Sequence, residues 1–174
     1  KILYILIFAI AFLLIGTVKS NAGSLKLNNL DFKAQINYDG SMDVTEKWDI
    51  SISQTNTLYK SFKTDSSKYS GITNVSVKEI TSGQNTAFIQ NDEWEYHVAK
   101  NHYYGTENED GDFEIGWGVG LDNSRATRIY EISYTVNDAI AKYNDYAELY
   151  WQFVGKDFEI SAEKIKGTIY LPSN

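Results

Sequence analysis

Residues 30–52 read LDFKAQINYDGSMDVTEKWDISI, and their parity decides the fold class. Leu30, Phe32, Ala34, Ile36 and Tyr38 alternate with Asp31, Lys33, Gln35 and Asn37, the period-two pattern of a strand with one buried face. Met42, Val44, Trp48, Ile50 and Ile52 repeat it, with Ser41, Asp43, Thr45, Lys47, Asp49 and Ser51 between them. A two-residue turn at Asp39-Gly40 would set Ile36 opposite Asp43 and oppose core to surface throughout. A three-residue loop Tyr38-Asp39-Gly40, with Gly40 in the left-handed position of a bulge, removes the conflict. The facing pairs then become Ile36–Met42, Ala34–Val44, Phe32–Glu46 and Leu30–Trp48.

Beyond this hairpin the spacing predicts strands over Leu58–Phe62, Ile72–Ile80, Thr86–Gln90, Trp94–Ala99, Phe113–Val119, Arg128–Val136, Ala147–Val154 and Ile165–Leu171. One short helix is predicted from Asp138 to Asn144, capped by Asn137. About ten short strands and at most one short helix define an all-β chain. The expected architecture is a two-layer antiparallel β-sandwich, immunoglobulin-like or related, with Trp48 and Trp151 buried between the sheets.

The 174 residues carry a formal net charge of −7, no cysteine and a single proline. That balance excludes a phosphate-neutralising surface, so no nucleic acid partner is expected. Without cysteine there is no disulfide framework, thiol nucleophile or Cys-based metal site. Lys1, the apolar run Ile2–Ile15 and the small residues up to Ala22 have the shape of a signal peptide or signal anchor over residues 1–22. One extracytoplasmic domain over residues 23–174 follows from that reading.

Taken in order, the strings YDGSMDVTEKWDI, ITNVSV, FEIGWG, IYEISYTV, ELYWQFVGKDF and IYLP resemble the extracytoplasmic domain of the YciQ-like predicted membrane proteins of bacteria. The resemblance covers roughly residues 28–172. It implies a domain outside the cytoplasmic membrane, tethered by a helix that lies outside this chain, with no established catalytic residues. Trp151-Gln152 and Phe158 depart from the residues the family pattern leads one to expect, while keeping an amide and aromatic bulk.

Glu46 is the one carboxylate on an apolar row, between Val44 and Trp48. It is either a desolvated general acid, or a residue at a strand end or edge that reaches solvent, or one half of a structural ion pair, for which Arg125 and Arg128 are the arginines at hand. The run Glu109–Glu114 concentrates oxygen ligands, but Thr106 and Trp117 stand where an EF-hand loop needs its first and twelfth ligands. A solvated acidic loop is the better reading. His97 and His102 are badly spaced for a shared metal, and the glycines in GWGVG lack the dinucleotide fingerprint, fitting close strand packing instead.

Aromatic residues are the remaining surplus, and Tyr103-Tyr104 beside the acidic loop are candidate contact residues. No cofactor or metal is implied. The expectation is a non-enzymatic interaction or sensory ectodomain at the bacterial cell envelope, its partner an envelope protein or glycan. A glycan- or cell-wall-binding β-sandwich module is the alternative.

Overall fold

The computed structural model describes residues 24–65, 67–154, 160 and 162–172, without the side chain of Asn123. The expected leader over residues 1–22 and the position of Phe158 lie outside the described residues. In chain order the strands are β1 (Ser24–Ile36), β2 (Met42–Phe62), β3 (Gly71–Glu79), β4 (Thr86–Ala87) and β5 (Ile89–Gln90). They continue with β6 (His102–Glu107), β7 (Phe113–Asn137), β8 (Ile140–Lys142), β9 (Ala147–Leu149) and β10 (Ile165–Tyr170). Strands β10-β1-β2-β7-β3-β4 lie side by side, β6 pairs with the first part of β7 as β3 pairs with its last part, and β5 joins β6.

The chain is all-β, as its alternation dictates, but the described strands form one large mixed sheet, nearly barrel-shaped, plus the small β8–β9 ribbon. This replaces the expected pair of antiparallel layers. The sheet is mixed because β10 runs parallel to β1 and β5 parallel to β6. It is single because β2 and β7 each unite two segments that read separately in the sequence.

The β1–β2 register is the one that parity requires, with Ile36 opposite Met42, Ala34 opposite Val44, Phe32 opposite Glu46 and Leu30 opposite Trp48. Gly40 has φ +97°, and the loop closes through Asn37 N–H donating to the Ser41 carbonyl at 2.9 Å and Gly40 N–H to the Asn37 carbonyl at 3.1 Å. The β6–β7 connection is the same device. Asn108 N–H donates to the Asp112 carbonyl at 2.9 Å, Gly111 N–H to the Asn108 carbonyl at 3.0 Å, and Gly111 has φ +78°. Both loops share the string Asn-x-Asp-Gly.

Strands β2 and β7 fold over themselves. Their pairing slips between Ser53 and Thr55 and again between Thr55 and Thr57, where Gln54 has φ 54° and Gly120 across the bend has φ 62°. Such irregularities bend and twist a sheet. The two halves then face each other: Trp48 meets Trp117 edge-on at 5.4 Å, and Phe62 meets Tyr134 at 5.0 Å. The core between them includes Leu30, Ile50, Ile115, Trp117, Tyr130 and Ile132.

Three local expectations are corrected. Residues 138–144 are not helical: Asp138 adopts φ 52°, and Ile140 N–H donates to the Gly40 carbonyl at 3.1 Å as β8 pairs with β9. Trp94–Ala99 forms no strand but a strap across the outer face of β7. Trp151 is only partly buried, at the rim, packed against Phe62 at 6.1 Å and Tyr69 at 5.3 Å.

Candidate functional site

Glu46 is wholly buried, in the middle of β2 rather than at a strand end. Strand alternation aims it into the sheet's interior, where the fold-back of β2 brings Lys60 from the other end of the same strand. Lys60 donates to Glu46 Oε1, Tyr134 donates its hydroxyl proton to the same oxygen at 2.6 Å, and Trp48 Nε1 donates to Oε2 at 2.9 Å. Lys60 also donates to the Phe153 carbonyl at 3.2 Å, and its ammonium lies over the Phe62 and Tyr134 rings. Burial, and next the adjacent Glu46 charge, push the Tyr134 hydroxyl well above its ordinary range, so it acts as a donor.

The partner is therefore a lysine. Arg128 pairs with Glu79 at 3.2 Å, and Arg125 donates to Ser53 Oγ at 3.2 Å. The sequence did carry the signal: Lys60 stands between Leu58 and Phe62 as Glu46 stands between Val44 and Trp48, two misfits of opposite charge on one buried face. Both Glu46 oxygens accept from protein donors, and the residue has no exposed surface.

Tyr103 and Tyr104 are both buried, not exposed as the sequence reading of them requires. Neighbours on a strand point to opposite faces, and here both faces are covered. Tyr103 enters the core and donates to the Val75 carbonyl at 2.9 Å. Tyr104 lies over Gly116 on the outer face, beneath the strap, and donates to Glu114 Oε1 at 2.5 Å. Glu114 is a second buried carboxylate. Besides Tyr104 it accepts from Trp94 Nε1 at 3.0 Å, Ser61 Oγ at 2.7 Å and Asn108 Nδ2 at 3.3 Å.

Burial pushes the Glu114 carboxyl up, but the hydrogen bonds from Tyr104, Ser61, Trp94 and Asn108 outweigh it and leave the group below its ordinary value of 4.5. A group whose pKa falls on folding contributes stability above the unfolded value and loses it as pH drops toward the folded one. Glu114→Gln is therefore expected to flatten the acid side of the stability curve below about pH 4.5, at a cost of about 1–3 kcal/mol near neutrality. Urea midpoints across that range check this; an acid slope equal to wild type would refute it. Asp112 and Glu131, also held low, preserve the remainder of the slope.

The acidic loop is organised as a turn. Asp110 and Asp112 N–H groups donate to Asn108 Oδ1, and Asp112 pairs with Lys63 at 2.5 Å. His102 Nδ1 lies 2.9 Å from Asn91 Oδ1, while His97 is exposed beside Tyr96.

Exposed aromatic surface gathers instead at the β8–β9 ribbon. Tyr143, Tyr146 and Tyr150 are 53%, 56% and 66% exposed, and Tyr143 and Tyr146 stack at 4.5 Å with an interplanar angle of 16°. Tyr143 and Tyr150 wall a groove of about 280 Å³ over Ala139 and Ala141, with Ser67, Lys68 and Glu148 as its polar groups. Lys68 pairs with Asp65 at 3.0 Å and sits 4.8 Å from the Tyr150 ring centre. The ribbon is held to the main sheet by Lys142, which donates to the Tyr38 carbonyl at 3.0 Å. Sequence reasoning missed this site because it read residues 138–144 as helix and Ala147–Val154 as a core strand.

An all-β domain with buried carboxylates and an aromatic groove is the class these features define. Its family follows from comparison: residues 26–174 match the family described as "Predicted membrane protein (DUF2207) N-terminal domain", and the chain belongs to it. No curated protein matches the chain. Among the described residues no helix is long and apolar enough to cross a membrane.

Proposed function

We propose that this chain is the extracytoplasmic recognition domain of a membrane-tethered protein of the bacterial cell envelope, without catalysis of its own, and that the tyrosine groove is its contact surface. The observation that carries this reading is the division of the molecule's polar and aromatic groups. Among the described residues the two buried carboxylates are engaged by protein donors, whereas Tyr143 and Tyr150 stand exposed on a groove, with Tyr146 stacked beside it. The leader-like run Ile2–Ile15 and the family's membrane description support a tethered domain outside the cell.

The chain has no cysteine, so Asn85→Cys adds one thiol to this domain, and comparing the full-length protein with and without it gives a topology probe. Labelling by a membrane-impermeant maleimide in intact cells is the expected result; labelling only after lysis would place the domain inside and end the reading. A photo-crosslinking residue at Tyr150 should trap an envelope component that the same residue at Tyr38 does not. Equal trapping at both positions would remove the groove from the proposal.

A further inference from the structure

We propose that the groove of the β8–β9 ribbon takes a neutral saccharide ring; this rests on the reading of that groove as the contact surface. The ring faces of Tyr143 and Tyr150 carry the partial negative charge of their π systems, which attracts the polarised C–H face of a sugar. Tyr146 stays outside the groove and stacks on Tyr143, which holds that ring in place. A tyrosine ring fixed by a neighbour loses little freedom when a ligand lands on it.

The polar groups select among ligand charges. Lys68 already lies over Tyr150, neutralised by Asp65, so an added cation would compete with an internal one. Glu148, exposed on the groove wall, repels an anion and accepts hydrogen bonds from hydroxyl groups. Ser67 and the Lys68 ammonium add a hydroxyl and a donor to the lining. Hydroxyls around an apolar face are what a sugar presents. A volume of about 280 Å³ lies just below the ~300–1,000 Å³ usual for small-molecule sites. It holds one ring of a glycan, with the rest of the chain running over the surface.

The test is NMR titration of the full chain with maltotriose and with chitotriose. The expected result is saturable, millimolar shifts confined to Tyr143, Glu148, Tyr150 and their neighbours for at least one of the two. Tyr143→Ala and Tyr150→Ala should each weaken binding tenfold or more, with unchanged circular dichroism, while Tyr143→Phe and Tyr38→Ala retain it. Inorganic phosphate and acetate should leave the same resonances unmoved; saturable shifts there with either anion would assign the groove to an anion and overturn the saccharide. Shifts that map elsewhere, or none with either trisaccharide, would overturn it too. Crosslinking at Tyr150 that persists while both sugars fail would leave the contact surface standing and refute only the ligand class, whereas turnover of either sugar would refute the non-catalytic reading.

Discussion

Replacing Lys60 with methionine is expected to destabilise the domain by about 3–5 kcal/mol, because it leaves Glu46 as an uncompensated charge in the sheet interior. The side chains of Lys60 and Glu46 are only 9% and 1% exposed, so solvent screens the pair weakly. The ammonium joins the two halves of β2 across their fold-back and reaches a third segment through the Phe153 carbonyl. Methionine fills a similar space over Phe62 and Tyr134 but donates nothing. In the variant Tyr134 and Trp48 alone would hold the carboxylate. Glu46→Gln added to Lys60→Met removes the stranded charge and keeps an oxygen for the Tyr134 hydroxyl, so the double variant should be more stable than Lys60→Met alone. Urea unfolding of wild type, Lys60→Met, Glu46→Gln and the double variant gives the coupling energy directly. A cost below about 1 kcal/mol for Lys60→Met, the range of exposed pairs, would show that water reaches the ion pair.

The same pair explains what the sequence made legible and what it withheld. Period-two alternation, together with the length of the turn, specified the β1–β2 hairpin down to its register, because a one-residue slip exposes a whole row of apolar side chains. Glu46 and Lys60 were each visible as misfits on apolar rows. Their contact was not, since it depends on a fold-back produced by slipped pairing near Thr55, which leaves no mark in local periodicity. Tyr103 and Tyr104 illustrate a second limit: adjacent strand residues look half exposed until a strap covers the outer face. The helix expected at 138–144 failed because Asp138 turns to positive φ and the segment finds a strand partner in β9. Short segments of this length have little intrinsic helicity to set against tertiary pairing. The groove went unseen with it.

The strap itself gives the second large effect, at Gly118. A Cβ there would lie 2.0 Å from the Ala99 carbonyl oxygen and 2.5 Å from the Val98 carbonyl oxygen, both backbone atoms that cannot turn aside as a side-chain tip can. The strap is fixed at this point by Val98 N–H donating to Thr57 Oγ1 at 3.0 Å and by Asn101 N–H donating to the Gly118 carbonyl at 3.1 Å. Relieving the clash means lifting it, which would withdraw buried Val98 and strain the Trp94 bond to Glu114. Gly118→Ala is expected to cost on the order of 3 kcal/mol or more, at the upper end of overpacking substitutions. Gly83→Ala is the control: at φ +81° with nothing within 4 Å of the new Cβ, it should cost only the backbone strain of about 1–2 kcal/mol. Urea midpoints rank the two variants, and Trp94 fluorescence with proteolysis near residues 94–100 reports whether the strap has lifted. Equal stability of the two variants, with the strap protected in both, would mean that the backbone yields at Gly118 and that the strap is not clamped against β7.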